Sequence, residues 1–413
     1  MSPFMIAVHA GAGYHSLENE DGYKRLMKHA CKAAAESLAF NNCPLEAVTA
    51  AISILEDDPL TNAGNGSNLN FDGFAECDAS VMAGDGTFGS IAAAGGIRNP
   101  CVAATRLALD SREPLSHGRV RPVMLAGDAA RVWALRQGLE ASDTAEGARQ
   151  MHVTERARRQ HHKYLNILSL SNSSDSARSQ GADSDSNKKR RRICQNDKAI
   201  DTDLLNDTVG CCVITAGGQV ASGVSSGGIA MKTSGRVGEA AIYGAGCWAQ
   251  ETENSSHAVA VSVTGVGERI MTHLVARECA MRILFNKVIP NTTARDSGGG
   301  GVKKRKNGSD IDDPLIICTN YLKETIGVGP PPRDCGVLCA VASTQQQRPG
   351  HLHVVLTAVH CESESMAVAW LNEDASGKQR SEARILRKNN DSSNSVTSQS
   401  LVVGVHWPLE SSV

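Results

Sequence analysis

The sequence predicts a mixed α/β protein with two ordered halves. Short apolar runs with strand character alternate with helical patterns, which is typical of this class. Glycine is abundant (39 residues) and aromatic residues make up only 4% of the chain, which favours small-residue strands and tight turns. With 413 residues, of which 41% are hydrophobic, the chain is long enough to bury a large core.

The first half begins with an apolar strand and continues with helices. Met5–His9 predicts a strand that ends at the glycines of Gly11-Ala12-Gly13. Pro44 suits the first turn of a helix, and apolar residues follow it at three-to-four spacing. A loop rich in glycine and asparagine follows over 61–68. Two strands, around Cys77–Met82 and Ile91–Ile97, follow, and Asn99-Pro100 opens a further helix that runs through Leu109.

Two stretches contain too few apolar residues to pack, and we expect both to be disordered inserts. They cover about 169–199 and about 292–310. Each carries a basic run, Lys188-Lys189-Arg190-Arg191-Arg192 in the first and Lys303-Lys304-Arg305-Lys306 in the second. Solvated charge is the plain interpretation of such runs, and nucleic-acid binding is an alternative.

The second half begins with a predicted hairpin. Val209–Ile214 and Val220–Ser225 have strand character, and Ala216-Gly217-Gly218 lies between them. A third strand leads into a helix whose apolar residues recur every four positions. The predicted bounds of this strand and helix are Ala258–Thr264 and Met271–Ile283, and two late strands over Cys335–Ala342 and His353–Ala358 complete the sheets.

Several function classes are disfavoured by composition. The N-terminus lacks the regions of a signal peptide, and no apolar run approaches the ~18 residues that span a bilayer. Thirteen cysteines without periodic spacing do not predict a disulfide framework, so we expect a reducing compartment. The close cysteine and histidine pairs do not add up to four zinc ligands, and we expect neither metal nor cofactor.

The step from Asp207 to Thr208 is the most informative point in the chain. Thr208 stands at the head of a buried-looking strand, just after a polar stretch. If the bond before it is cut, its hydroxyl gains a free α-amino group as its own base. That amine has a pKa of ~8, against ~10.4 for lysine, so far more of it is unprotonated near neutral pH. The alternative is an ordinary strand threonine whose hydroxyl is satisfied by the backbone.

Three downstream features favour the nucleophile over that alternative. Ser226 ends the second strand of the hairpin and should lie beside Thr208 across the ladder. Arg236, flanked by Gly235 and Gly238, could hold a carboxylate by two parallel hydrogen bonds. The strand-to-helix turn at Thr264-Gly265 offers a hydroxyl and backbone N–H groups to a developing oxyanion. Each feature also has an ordinary explanation, as a turn serine, a surface arginine and a glycine-rich connection.

These segments, taken in order, resemble the type 2 asparaginases and glycosylasparaginases, which are N-terminal nucleophile hydrolases. Within that superfamily the sequence is most similar to the threonine aspartases. Further segments carry the resemblance: Val8–His15, Thr61–Gly64, Ser67–Asn70, Glu76–Ser80, Val224–Gly228 and Tyr243–Trp248. The asparaginases usually have glycine before the nucleophile and threonine where this chain has Ser226.

The resemblance implies a four-layer αββα sandwich, formed by a single domain that is cut between Asp207 and Thr208. The cut would give an α subunit, residues 1–207, and a β subunit, residues 208–413, which stay packed as αβ or (αβ)2. Thr208 would be the nucleophile and its amine the base. Ser226 would orient it, and Thr264 with Gly265 would form the oxyanion hole.

The resemblance also implies how substrate is held. Arg236 would bind the aspartate carboxylate, and Asn62 matches an asparagine of the active-site loop. Asparaginases carry an aspartate three residues after the arginine, where it binds the free α-amine of an amino-acid substrate. This chain has Glu239 at that position. A peptide substrate offers no free amine there, so a strict requirement for aspartate would be lifted.

The function expected from the resemblance is a self-processing threonine endopeptidase that cuts nuclear transcription regulators after aspartate. Its sites would read Gln, an aliphatic residue, Asp, then Gly. The run Lys188–Arg192 would recruit the nuclear import machinery, placing the protein in the nucleus and also the cytoplasm, without a membrane partner. Two alternatives remain: an L-asparaginase or isoaspartyl peptidase acting on small aspartyl substrates, and a non-catalytic nuclear adaptor that kept the fold.

Overall fold

The computed structural model describes residues 2–178, 208–252, 257–285, 313–328, 333–344, 351–388 and 400–408. Asp207, both basic runs, residues 179–199 of the first predicted insert and all of the second lie outside the described residues. Within the described ranges the chain forms a mixed α/β single-domain fold with two β-sheets.

The strands are, in chain order, β1 (Phe4–Gly13), β2 (Cys77–Ala83), β3 (Phe88–Ala94), β4 (Met124–Ala126), β5 (Val209–Thr215), β6 (Val220–Ser226), β7 (Cys247–Glu251), β8 (His257–Gly265), β9 (Cys335–Thr344), β10 (His351–Cys361), β11 (Ser365–Glu373), β12 (Gln379–Arg387) and β13 (Ser400–Pro408). The larger sheet has the order β12-β11-β1-β5-β6-β2-β3-β4, and the smaller has the order β13-β10-β9-β8-β7. The hairpin β5–β6 confirms the pairing predicted from sequence.

The helices are α1 (Glu20–Asn41), α2 (Pro44–Asp57), α3 (Pro100–Asp110), α4 (Gly127–Arg136), α5 (Ala145–Gln150), α6 (Glu155–Arg178), α7 (Gly267–His273), α8 (Val275–Phe285) and α9 (Pro314–Thr325). Both α2 and α3 begin at the proline that the sequence indicated. No helix of the described part is long and apolar enough to cross a membrane.

The side chains of β1 alternate between two hydrophobic clusters, one on each face of the larger sheet. Phe4, Ile6 and Val8 pack with α1, α2 and α3 on one face of the larger sheet. Met5 and Ala7 point to the other face and pack with the smaller sheet, α8 and α9. Side chains alternate between the two faces of a strand, so this parity also decides which residues of β5 and β6 face the smaller sheet.

The two sheets contact each other through small polar residues. The Ser222 hydroxyl of β6 donates to the carbonyl of Val261 at 2.7 Å, and the Ser262 hydroxyl of β8 donates to the carbonyl of Gly223 at 3.1 Å. A Cβ atom on Gly210 would lie 2.0 Å from the Ser262 oxygen. Glycine at 210 therefore allows β5 and β8 to approach closely.

The first strand is longer than predicted. The sequence placed its end at the glycines after His9, but β1 continues to Gly13. Its pairing with β11 shifts register between His9 and Ala12, and Gly11 has φ +100°. A bulge with a glycine in a conformation open to few other residues lets the strand continue instead of ending.

Two helix predictions need correction. The helix expected over Met271–Ile283 is two helices, α7 and α8, because Leu274 adopts a left-handed conformation with φ +46°. Helix α6 continues to Arg178, so the first ten residues of the insert expected to be disordered from 169 are helical. Extending an existing helix adds a hydrogen bond per residue without a new nucleation cost, which lets polar residues follow a well-formed start.

The expectation that two late strands complete the sheets was also incomplete. Three more strands, β11, β12 and β13, follow β10 within the described residues. Of these, β11 pairs with β1 from Phe4↔Glu373 to Gly13↔Ser365 and extends the larger sheet. Strands β11 and β12 of the C-terminal region therefore belong to the sheet at which Thr208 lies, whereas β13 extends the smaller sheet.

Candidate active site

Thr208 lies immediately before β5 and is buried, with 2% of its surface exposed. Val209, Cys211 and Val213 face the helices, so Thr208 faces the smaller sheet. Its Oγ1 lies 3.0 Å from the Ser226 hydroxyl oxygen and 2.8 Å from Oε1 of Glu239. A hydroxyl has one hydrogen, so Thr208 donates to one of these oxygens at a time.

Ser226 reaches Thr208 because of the register of the hairpin. Val209 pairs with Ser225, so the next position across the ladder brings Ser226 beside Thr208. The neighbouring Ser225 points the other way and donates to Glu56 at 2.6 Å. The Ser226 oxygen also accepts the N–H of Gly228 at 3.0 Å. This second bond fixes the hydroxyl that faces Thr208.

Asn62 holds the loop that follows Ser226. Its carbonyl accepts the N–H of Gly227 at 2.8 Å, and its Nδ2 donates to the carbonyl of Gly228 at 2.9 Å. Its Oδ1 accepts the N–H of Asn68 at 2.8 Å. In this structure the side chain predicted to bind substrate is engaged with the loop.

Arg236 lies close to the loop that follows Ser226, where a Cβ on Gly228 would come 3.0 Å from its Nη1, but its guanidinium is already paired. Its Nε and Nη2 donate to the two carboxylate oxygens of Glu268 at 2.9 and 2.7 Å. The side chain of Arg236 is 13% exposed and that of Glu268 is 53% exposed. This two-bond geometry is the one that an incoming substrate carboxylate would adopt on a guanidinium.

Two carboxylates on the adjoining segment hold the loop of Arg236 in place. Glu76 accepts the N–H of Gly235 at 3.1 and 3.0 Å, through its two oxygens. Asp78, fully buried on β2, accepts the N–H of Gly238 at 2.7 Å. Both anchors use backbone donors, so they fix the path of the loop rather than its side chains.

Glu239 begins a short 3-10 helix, Glu239–Ala241, and is 3% exposed. Burial raises the pKa of its carboxyl to about 7, although the positive charge of Arg236 and the hydrogen bond from Thr208 act in the opposite direction. A Cβ on Gly267 would lie 2.6 Å from Oε2 of Glu239 and 2.7 Å from Nη2 of Arg236. The start of α7 therefore closes over both side chains.

Thr264 and Gly265 end β8 at the same edge of the site. The Thr264 hydroxyl oxygen accepts the N–H of Ala12 at 3.2 Å, near the end of β1 that runs beside the start of β5. Gly265 has φ +136°, and a Cβ there would lie 2.1 Å from the carbonyl oxygen of Asp334. Only glycine fits this position.

Further charged or titratable residues belong to this region, and the sequence did not single them out as site residues: His9, Glu76, Asp78, Lys232 and Glu268. Lys232 is buried and its Nζ donates to the carbonyl of Glu76 at 2.6 Å. The Nε2 of His9 lies 2.8 Å from the Ser262 hydroxyl, and burial lowers the pKa of this imidazole to about 3. For His9 and Asp78, the sequence did offer a signal of a site residue, because each is a polar residue within an otherwise apolar strand.

The arrangement brings a hydroxyl, a carboxyl and a guanidinium together at one largely buried site. No group of three or more histidine, cysteine, aspartate or glutamate side chains suited to a metal occurs in the ranges that the structure describes. A threonine hydroxyl with an ionisable carboxyl in hydrogen-bond reach is a pairing that can serve nucleophilic acyl transfer.

A threonine before a central strand of a two-sheet α/β fold, with these neighbours, is consistent with the N-terminal nucleophile class of hydrolases. A protein-family model described as Asparaginase matches residues 1–297. The chain belongs to this type 2 asparaginase and isoaspartyl peptidase family.

Individual relatives agree with this family. An isoaspartyl peptidase of Escherichia coli strain K12 is 30% identical over 286 residues, covering 68% of this chain and 77% of the relative. An isoaspartyl peptidase/L-asparaginase of Xenopus laevis is 30% identical over 274 residues, covering 66% and 74%. A plant-type L-asparaginase of Thermococcus kodakarensis is 29% identical over 286 residues, covering 67% and 78%.

Proposed function

We propose that this family member is a self-processing threonine endopeptidase. It cleaves its own chain between Asp207 and Thr208 and then cuts protein substrates after aspartate. The two resulting subunits, 1–207 and 208–413, stay together as an αββα sandwich. The observation that carries the proposal is the contact of the Thr208 hydroxyl with Glu239, 2.8 Å away, where the asparaginases carry aspartate.

Self-cleavage and substrate cleavage use the same nucleophile. In processing, the Thr208 hydroxyl attacks the carbonyl of Asp207, and the peptide bond is replaced by an ester that water hydrolyses. In the mature enzyme, the hydroxyl attacks the main-chain carbonyl of a substrate aspartate, the amine of the next residue leaves, and water then releases the acyl group from the enzyme. Arg236 binds the aspartate carboxylate, for which Glu268 must release one or both of its hydrogen bonds.

Glu239 supports a peptide substrate over a free amino acid. An aspartate at this position would leave room for the ammonium group of a small substrate, whereas the longer glutamate reaches the nucleophile itself. The carboxyl is buried, and burial raises its pKa to about 7, so part of it is neutral near physiological pH. A neutral carboxyl binds an ammonium group poorly, because the charge attraction is lost.

A second candidate function is that of an isoaspartyl peptidase or L-asparaginase. The names of the relatives favour it. Its chemistry is closely related, since both kinds of substrate present one carboxylate and one acyl carbon of an aspartyl group. In an isoaspartyl bond the side-chain carbonyl is attacked and the main-chain carboxylate is held; in an aspartyl peptide these roles are exchanged.

Intact mass and N-terminal sequencing test the processing. The 43.6 kDa chain should yield two fragments, one beginning Thr-Val-Gly-Cys-Cys. The Thr208→Ala variant, which lacks the attacking oxygen, should stay intact. A folded wild-type chain that remains whole after long incubation would contradict the proposal and favour the non-catalytic adaptor.

Substrate assays then separate the two enzyme candidates. A peptide containing Gln-Val-Asp-Gly should be cut after aspartate, and the matched peptide with asparagine in place of aspartate should not, because Arg236 loses its charged partner. Asparagine and β-aspartyl dipeptides are tested beside them. Turnover of the small substrates without turnover of the aspartyl peptide would establish the isoaspartyl peptidase and asparaginase alternative.

We also propose a nuclear setting for this activity. The run Lys188–Arg192 has the composition of a nuclear import signal, and the threonine aspartases that the sequence resembles act on nuclear transcription regulators. The chain's own junction, Leu205-Asn206-Asp207, keeps only the aspartate of the expected recognition sequence. Self-cleavage would therefore depend on the geometry around Thr208 more than on sequence recognition.

A further inference from the structure

The α-amine that would serve as the base in the mature enzyme does not exist before self-cleavage. In the uncut chain the nitrogen of Thr208 is a peptide amide, and an amide nitrogen does not accept a proton near neutral pH. Another group must therefore take the proton of the Thr208 hydroxyl in the first reaction. The inference drawn from this requirement rests on the proposed self-processing.

Among the residues that the structure describes, Ser226 and Glu239 contact the Thr208 hydroxyl, and they differ in basicity. Ser226 lies 3.0 Å away, but a neutral hydroxyl is a weak base, and its oxygen already accepts the N–H of Gly228. Glu239 lies 2.8 Å away and is ionisable. Within the described ranges, Glu239 is thus the ionisable proton acceptor in hydrogen-bond reach of the attacking oxygen.

His9 lies beside the backbone of Thr208, where it forms a hydrogen bond that favours its protonated form, but it does not contact the Thr208 hydroxyl. Its Nε2 lies 2.8 Å from the Ser262 hydroxyl, on the neighbouring sheet. Burial also lowers its pKa to about 3, which makes the imidazole a poor proton acceptor at neutral pH. His9 therefore contributes to the contact between the sheets.

The position of Glu239 is fixed from three sides. Thr208 contacts Oε1, and the backbone at Gly267 approaches Oε2 so closely that a Cβ would lie 2.6 Å away. The preceding residue, Gly238, is held by Asp78 through its N–H at 2.7 Å. A carboxyl confined in this way stays in contact with the hydroxyl without a search among rotamers.

The charges around Glu239 set its protonation. Arg236 on the same loop favours the ionised form, while Asp78 of β2 opposes it, and burial is the largest effect. Glu268 of α7 lies on the far side of Arg236 and neutralises part of its charge. Cys335 of β9 is the titratable group from the smaller sheet, and burial raises the pKa of its thiol well above the ordinary value, so it is neutral. The pKa of Glu239 is raised to about 7, which suits a base that works near neutrality.

We propose that Glu239 is the general base of self-cleavage. It takes the proton from Thr208 Oγ1 as this oxygen bonds to the carbonyl carbon of Asp207. The proton then passes to the Thr208 nitrogen as the carbon–nitrogen bond breaks, which leaves an ester between Asp207 and the Thr208 oxygen. Water hydrolyses the ester, giving the Asp207 carboxyl group and the free Thr208 hydroxyl, and Glu239 returns to its starting state.

The role ends with processing. Once the α-amine of Thr208 is free, it can accept the hydroxyl proton itself. Loss of Glu239 should consequently slow the first cut more than it slows turnover of peptide by the processed enzyme. This difference separates a base for self-cleavage from a residue that merely shapes the site.

The test follows processing of the full chain after a short pulse of cell-free synthesis, at several pH values from 5.5 to 8.5. Wild type should process faster as the pH rises through about 7, where Glu239 loses its proton. Glu239→Gln, of nearly the same shape, should process roughly 10²–10⁴-fold more slowly and lose this rise. Peptide turnover by whatever Glu239→Gln protein has been processed should fall by a smaller factor.

Four outcomes would overturn the proposal. In the first, Glu239→Gln processes at the wild-type rate; in the second, it processes slowly but its rate still rises through about pH 7. In the third, Glu239→Gln loses as much peptide turnover as processing, and in the fourth the wild-type chain never processes. The last also removes the proposed function, whereas the first three leave it standing.

Folding is checked by comparing thermal melts of Thr208→Ala with and without Glu239→Gln. If the double variant does not fold, Glu239→Asp decides: the midpoint of its pH profile should move roughly half a unit lower, because aspartate is the stronger acid. An unchanged midpoint would then count against Glu239.

Discussion

The close approach of the two sheets at Gly210 leads to a sharp prediction for Gly210→Ala. The added Cβ would lie 2.0 Å from Oγ of Ser262, 2.5 Å from Nε2 of His9 and 2.9 Å from the carbonyl oxygen of Gly223. Ordinary contacts begin near 3.4 Å. Because all three neighbours belong to other strands, either β5 must move away from them or the side chains of Ser262 and His9 must rotate.

The energetic cost follows from what must move. Rotating Ser262 breaks its hydrogen bonds with His9 at 2.8 Å and with Gly223 at 3.1 Å, in a region that is fully buried. An unsatisfied buried polar group costs about 1–3 kcal/mol, and overpacking a core adds about 1–3 kcal/mol. We therefore expect Gly210→Ala to lower the free energy of unfolding by about 2–6 kcal/mol.

The assay is urea unfolding in the Thr208→Ala background, so that every chain is in one piece. Gly217→Ala is the matched control: it lies in the turn of the same hairpin, and the nearest atom to its added Cβ is 3.7 Å away. The control should change stability by no more than about 0.5 kcal/mol. Adding Ser262→Ala to Gly210→Ala should restore part of the loss, because the closest clash is removed. If Gly210→Ala stays within about 1 kcal/mol of the control, the argument from sheet spacing is wrong.

Three further predictions concern other parts of the chain. Burial raises the pKa of Glu56 to about 7, so the folded state holds its proton more tightly than the unfolded state does, and stability should fall as pH rises from about 4.5 to 7. Glu56→Gln should reduce the decline between pH 5 and 8 by about 2–4 kcal/mol in urea unfolding, and an unchanged decline would show that Glu56 is not responsible. Glu268→Gln should lower KM for the aspartyl peptide by up to roughly fivefold, because the substrate carboxylate no longer competes with a charged partner of Arg236; a higher KM would show that Glu268 positions the arginine instead. Replacing Lys188–Arg192 with alanine should abolish nuclear accumulation of a fluorescent fusion in cells without slowing self-cleavage, and continued accumulation would exclude this run as the import signal.

Local patterns predicted the elements that depend on local sequence. The alternation and the central glycines were enough for the β5–β6 hairpin, and Pro44 and Pro100 marked helix starts correctly. The hairpin register also brought Ser226 beside Thr208. Such features are decided within about twenty residues, where propensity and turn chemistry act together.

Other features depend on contacts that the sequence does not display. The partners of Asp78 are backbone N–H groups 15 and 160 positions away, and His9 meets Ser262 across 253 positions. The break at Leu274 carries no glycine or proline signal, and the apolar spacing continues through it. These residues are fixed by how the two sheets and α7 stack, which a single sequence does not reveal.

The place of β1 has a consequence for how the molecule can be rebuilt after it is taken apart. β1 precedes the Asp207–Thr208 junction, yet it pairs with β5 on one side and β11 on the other, both of which follow the junction. An uncut chain closes this sheet within one molecule, so its refolding rate is independent of protein concentration. After a cut, the same sheet must be assembled from two chains. Refolding then becomes a second-order reaction whose rate falls on dilution. The uncut precursor would therefore fold readily as one chain, whereas the processed protein, once unfolded, would refold far less readily.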